Sequence, residues 1–208
     1  MVTRPRYAPS VMGSNAMTGR RVRLRPATLA DRRMIHAWSY ESDVASLLHL
    51  SDAPARPFAD WCDDWVEHYF TDAAPERGRM FVILEDGTPV GAIAYNDIDE
   101  RRRVELDIWL NAEANCGRGL GTDAIEVLCG HLEVALGVRT FMMQPSARNP
   151  RAVRAYEKVG FVRTPATAAE IAADWGGVDH PDSVLMIREV GPARTSPTSS
   201  GAAVGGPT

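Results

Sequence analysis

The chain has 208 residues, 45% of them hydrophobic, and a formal charge of −4 at pH 7, enough to bury one good core in a single domain. Negative net charge argues against a nucleic-acid partner, no apolar run reaches the length of a bilayer span, and residues 1–19 lack the apolar segment of a secretory leader. Cys62, Cys116 and Cys129 have neither metal nor redox spacing and the five histidines never fall at zinc-ligand intervals, so a metal-free cytoplasmic protein is expected, as monomer or homodimer.

Residues 1–18 read as a poorly patterned, disordered lead in which Met17 is a second candidate start. From Arg21, the alternation of Val22 and Leu24 with Arg21, Arg23 and Arg25 predicts a strand. Pro26 stops it. Thr28, with Asp31 three residues on, opens a helix through Met34, Ile35 and Trp38.

Residues 41–76 are the most acidic part of the chain, with nine carboxylates against one basic residue, Arg56. Phe58, Trp61, Trp65 and Tyr69 recur at helical spacing, so acids such as Asp60 and Asp64 fall on the other helix faces. An ordinary solvated face explains this pattern, and so does a negative wall that draws in a cationic substrate. Pro54 and Pro57 make the preceding segment a loop suited to a substrate lid.

Residues 80–84 and 90–95 flank Asp86-Gly87, the mark of a hairpin turn. Residues 104–110 then alternate, with Val104, Leu106, Ile108 and Leu110 on one face and Glu105, Asp107 and Trp109 on the other. Two carboxylates and an indole share the side of a strand that runs into Cys116-Gly117-Arg118-Gly119-Leu120-Gly121-Thr122. Glycines at alternate positions permit a tight turn and close approach to a ligand. A helix starting there aims free N–H groups and its positive dipole end at the turn, an anion cradle suited to phosphate. The spacing is neither that of a P-loop nor the G-x-G-x-x-G of a dinucleotide fold.

Ile125, Leu128, Leu132 and Leu136 keep the helix period until Gly137, and residues 139–143 form a short buried strand before Gln144. Asn149 caps a further helix with Pro150 at its first position, Tyr156 lies on it, and Gly160 ends it before Phe161. Residues 161–163 and 184–188 are the last strands, with an extra short helix at 168–175 between them. Residues 191–208 form a Gly/Pro/Ser/Thr/Ala tail expected to be disordered, leaving 19–190 as the domain.

Together the glycine turn and the run from Asn149 to Phe161 resemble the acetyl-CoA signature of the GCN5-related N-acetyltransferases (GNAT). The likeness extends from about Arg21 to Val190, with specific motifs between Glu105 and Phe161. It implies an α/β (α+β) fold with a central mixed, mostly antiparallel twisted sheet of about seven strands, one splayed strand pair, and flanking helices. It also implies acetyl-CoA as co-substrate and direct transfer to an amine. The diphosphate would rest on the amides of Gly117, Arg118, Gly119, Leu120, Gly121 and Thr122, and the pantetheine in a slot along Ile108, Trp109 and Leu110, with Asn149 helping to hold it. Asn149 serves equally as a plain helix cap.

Tyr156 matches the family tyrosine that protonates the leaving thiolate, its other role being to pack on Phe161. Asp107, and after it Glu105, can take the proton of the ammonium ion. Trp38, Asp60 and Asp64 lie in the region that forms the family's acceptor side. Cys116 stands where the family pattern opens with Gln or Arg, and no nearby His makes it a nucleophile. The motifs look like those of aminoglycoside 6'-N-acetyltransferases, but that branch has Asp where this chain has Gln144. The acceptor amine or the proton route is therefore expected to differ, and the kasugamycin 2'-type is one candidate. A protein N-terminal or polyamine acetyltransferase is the alternative.

Overall fold

The computed structural model describes residues 16–45, 55–175, 177 and 182–191. The expected tail from 192, most of the lead and the segment 46–54, with Asp52 and Pro54 of the expected lid, lie outside the described residues. Eight strands make one sheet in the order β1-β2-β3-β4-β5-β6-β8-β7, one more than expected. They are β1 (Met17–Thr18), β2 (Arg23–Pro26), β3 (Arg79–Glu85), β4 (Thr88–Tyr95), β5 (Arg103–Leu110), β6 (Thr140–Met143), β7 (Val162–Arg163) and β8 (Met186–Glu189). The extra strand lies inside the expected lead: Met17 is buried and pairs with Leu24.

Among the described residues, five helices flank the sheet: α1 (Arg32–Glu41), α2 (Phe58–Asp64), α3 (Leu120–Ala135), α4 (Pro150–Glu157) and α5 (Ala168–Trp175). Alternation sorts the strands' side chains into two layers. Leu24, Phe81, Ile83, Ile93, Val104 and Leu106 pack with Leu120, Ile125, Leu128 and Leu132 of α3. On the opposite face, Met80, Val82, Ala92, Ala94 and Trp109 pack with Ile35, Trp61 and Phe70. The two faces of β5 thus divide as the sequence predicts. The aromatic run does not form one helix: α2 ends at Asp64, and Tyr69 lies in a 3₁₀ turn, Glu67–Phe70.

The predicted hairpin closes at Asp86 and Gly87, with φ of 48° and 84°. Both central residues are left-handed, as a type I′ turn demands. The sheet opens at the junction of β5 and β6. It is the parallel pairing in the sheet, and it stops after Arg103↔Thr140, Val104↔Phe141 and Glu105↔Met142. β5 continues to Leu110 on its other partner, β4, so the two strands part. Asn96 N–H donates to Glu105 O and Asn111 N–H to Val90 O, whereas Arg102 O faces β6. The backbone groups of Ile108 and Leu110 therefore face the opening.

Candidate active site

α3 begins at Leu120, three residues before the start of the predicted amphipathic run, with Gly119 as its left-handed N-cap (φ 84°) and Gly117 also left-handed (φ 72°). The N–H of Asp123 returns to Gly119 O at 3.0 Å, so the N–H groups of Leu120, Gly121 and Thr122 precede the helical ladder and are orphans of its first turn. They border a cavity of about 1170 Å³ whose wall includes the whole glycine turn. Arg20, Arg21, Arg151, Arg154 and Lys158 also line this cavity, and such cationic groups with a helix N-terminus are an arrangement that can hold phosphate groups. Three guanidinium groups here are already engaged: Arg118 by Glu85 at 2.8 Å and Asn115 at 3.2 Å, Arg151 by Glu113 at 2.7 Å, and Arg20 by Glu126.

From there the cavity runs along the opening beside β5, past Ile108, Leu110, Asn149 and Tyr156. Asn149 accepts from Ala152 N–H at 3.1 Å, confirming its capping role. Tyr156 is 9% exposed and its ring lies 6.3 Å from that of Phe161; it both packs and borders the cavity. Cys116 is half-buried, with Sγ 3.6 Å from Ala112 O. Burial pushes its thiol up, outweighing Arg151, which is the reverse of an activated nucleophile.

The far end is bordered by Tyr40, Trp61, Asp64, Trp65, Asp107 and Trp109. Asp107 Oδ2 accepts from Asn96 Nδ2 at 3.3 Å, and Asn96 Oδ1 accepts from the Tyr69 hydroxyl at 3.0 Å. Gln144, 6% exposed, borders the same space and donates Nε2 to Glu105 Oε1 at 2.9 Å and to Gly177 O at 3.2 Å. Its Oε1 and the indole Nε1 of Trp109 are buried with no hydrogen-bond partner among the described residues.

Not every expected residue arrives. Glu105 is tied to Gln144 and is not part of the cavity wall, nor are Trp38, half-buried in the aromatic layer, and Asp60, exposed on α2. The acidic stretch is also less negative than its composition. Asp64 pairs with Arg56, Asp72 with Arg79 and Glu76 with Arg102, while Asp43 accepts the N–H of Glu113 at 2.7 Å. Arg79, Arg102 and the Glu113 amide come from outside the stretch, so a count within it overstates the charge. Sequence reasoning missed Asn96, Tyr69 and Arg21. Asn96 follows a strand and reads as turn chemistry, and nothing in the spacing pairs it with Asp107.

The family model for the acetyltransferase (GNAT) domain matches residues 21–162. This chain belongs to the GNAT family. A 90-residue stretch is 27% identical to the ribosomal-protein-serine acetyltransferase of Escherichia coli K12, covering 42% of this chain and about half (50%) of that protein.

Solved GNAT structures share the fold. Aminoglycoside acetyltransferase AAC(6')-Ib in complex with paromomycin and acetyl-CoA superposes with a TM-score of 0.63 at 22% identity, over 81% of this chain and 93% of that one. Spermidine N-acetyltransferase from Vibrio cholerae with CoA and spermine gives 0.60 at 20% identity, over 80% and 93%. RimJ of Mycobacterium smegmatis in complex with CoA-disulfide gives 0.64 at 18%, over 85% and 88%. Among the described residues, no helix is long and apolar enough to cross a membrane and no cluster of three or more metal-ligating side chains occurs.

Proposed function

We propose that this GNAT protein is an acetyl-CoA-dependent N-acetyltransferase whose acceptor is an amine of an aminoglycoside-type sugar. The observation that carries the reading is the single cavity joining the glycine turn to Asp107. The residues fit the coenzyme: orphan amides of Leu120, Gly121 and Thr122 and the guanidinium rim suit a diphosphate, and the backbone of Ile108 and Leu110, beyond the last β6 partner, suits an amide-bearing arm. Acetyl-CoA, when bound, supplies the acyl group as a thioester.

Asp107 binds the ammonium ion and accepts its proton, directly or through water, so that the nitrogen lone pair becomes available. Tyr156 holds a proton for the departing sulfur, help worth about 10²–10⁴-fold. Tyr40, Trp65 and Trp109 offer aromatic surface to the C–H faces of a sugar ring, and the Asp107 carboxylate beside them, with Asp64 already paired to Arg56, suits an aminosugar. Gln144, which accepts no amine proton, marks the amine as other than the 6' position, with the 2'-amine of kasugamycin as the first alternative. We place the reaction in the cytoplasm, where the three free cysteines stay reduced.

A second reading, acetylation of a protein N-terminus, draws on the ion pairing of the acidic stretch, because one ammonium needs less negative charge than a polycation; this also weighs against a polyamine. Thiol release from acetyl-CoA, measured with kanamycin, kasugamycin, spermidine and a seryl peptide, tests both. Turnover of an aminoglycoside is the expected result, and turnover confined to the peptide selects the second reading.

A further inference from the structure

We propose that Asn96, held by Tyr69, is a positioning residue that orients the Asp107 carboxylate and favours its charged form. The inference rests on the reading of Asp107 as the group that receives the amine proton. Asn96 follows directly on β4, whose Ala94 is paired across from Asp107, so Asn96 is its diagonal neighbour on the same face of the sheet. Its own backbone N–H is fixed to Glu105 O at 3.1 Å, which anchors the main chain from which the amide reaches Asp107.

Donor and acceptor types along the chain agree in only one sense. A carboxylate can only accept, so the Nδ2 end of Asn96 faces Asp107, and Oδ1 remains for a donor, the Tyr69 hydroxyl. Tyr69 in turn is held in place. Its ring lies 5.0 Å from that of Trp65, and Gly78 (φ 113°) lies so close that a Cβ there would come within 2.6 Å of Tyr69 Cε1. Burial, and after it the Asp107 charge, pushes the phenol up to about 12, so it remains a donor throughout the neutral range.

Other charged or titratable groups near this chain of contacts include Glu105 on the same strand, bound by Gln144, Asp97 and Arg77, which pair with each other at 3.8 Å, Asp64, paired with Arg56, and His68, whose ring stacks on Tyr69 at 4.5 Å. None of these contacts involves the Asn96 side chain, and replacing it leaves them in place. An N–H donated to an ionised carboxylate lowers its affinity for a proton. Without it, Asp107 would hold its proton to higher pH and the deprotonated, amine-receiving form would be scarcer on the acid side.

The test uses the full chain carrying Asn96→Leu, Asn96→Asp or Tyr69→Phe, with Asp107→Asn to assign the signal. Carbon-detected NMR titration of the aspartate carboxyls gives the Asp107 midpoint, and the pH profile of kcat/KM is taken with whichever of kanamycin, kasugamycin or the seryl peptide turns over. Asn96→Leu is expected to raise the midpoint by about one pH unit, carrying the acid limb of the profile with it, with KM for acetyl-CoA unchanged. Tyr69→Phe should shift both in the same direction by less, and Asn96→Asp, which adds a like charge, by more. An unmoved midpoint in Asn96→Asp and Tyr69→Phe, both conservative in volume, overturns the proposal even should Asn96→Leu fold poorly. Loss of activity in Asp107→Asn with no shift in the Asn96 variants removes the positioning role alone, whereas wild-type turnover in Asp107→Asn removes the reading beneath it as well.

Discussion

Asp123→Asn probes how the phosphate end of the site is held. The carboxylate of Asp123, in the first turn of α3, is 3% exposed and accepts the backbone N–H groups of Arg20 at 3.1 Å, Arg21 at 2.7 Å and Val22 at 3.0 Å. It thereby fastens the segment that carries Arg20 and Arg21 to the rim of the cavity. Burial opposes its charge, but the three amides together outweigh burial and hold the carboxyl below its ordinary 3.8.

Asparagine keeps one acceptor oxygen and turns an NH₂ group toward at least one of the three amides. A buried amide left unpaired costs about 1–3 kcal/mol, and neutral bonds replacing charge-assisted ones cost about 1 more. The variant should therefore lose about 2–4 kcal/mol, which at 2–4 °C per kcal/mol for a domain of this size lowers Tm by roughly 4–16 °C. Because the folded pKa lies below the unfolded one, the carboxylate's contribution is complete above the unfolded value near 3.8 and disappears as pH falls through the folded one. Urea unfolding of both proteins should show the full gap at pH 7 and a narrowing one below pH 4. Parallel curves across that window would refute the role of the charge. Calorimetry with coenzyme A at pH 7 should show weaker binding to the variant.

Four other substitutions divide the site. Asp107→Asn should lower kcat by about 10²–10⁴-fold while calorimetric affinity for acetyl-CoA stays within about twofold; unchanged kinetics would take Asp107 out of the mechanism. Tyr156→Phe should lower kcat by up to the same factor with KM for the amine little altered, and a wild-type rate would leave Tyr156 to its packing on Phe161. Cys116→Ser should keep turnover within about twofold, since burial already raises the thiol; trapping of an acetylated Cys116 would contradict this. Gly119→Ala has room for its Cβ, 3.7 Å from Arg21 Nε, so its cost is the left-handed backbone, about 1–2 kcal/mol. Titration calorimetry should show coenzyme A binding about tenfold more weakly.

How far the sequence can be read depends on how far apart the interacting groups lie in it. The hairpin at Asp86-Gly87, the cap at Asn149 and the turn at Gly119 are each set by a few consecutive residues, and all three form as expected. Helix α3 begins earlier than its apolar pattern suggests because Leu120, Gly121 and Thr122 contribute to the turn and to the first helical turn at once. The aromatic run from Phe58 to Tyr69 keeps helical spacing through α2 and the 3₁₀ turn after it, so periodicity alone merges two elements. Strand β1 is short enough to escape a periodicity argument, and its formation depends on Met17 meeting the core.

The two ends of the cavity differ in the same respect. Amides and left-handed glycines contiguous in sequence build the end proposed for the phosphates, where a motif is enough to place the turn. Side chains from α1, α2, β5, the residue after β4 and the Glu67–Phe70 turn build the end proposed for the acceptor, and the charge of the acidic stretch is decided by partners such as Arg79 for Asp72 and Arg102 for Glu76. A list of acids in one stretch therefore overestimates the field there, while the Asn96 amide, with no charge of its own, reaches Asp107 directly. On the function proposed, acceptor specificity rests on a few placed groups, Asp107 with its Asn96 donor and the indole of Trp109, rather than on the summed charge of the wall. A single substitution among them should alter which amine is accepted more than several charge reversals on the exposed face of α2.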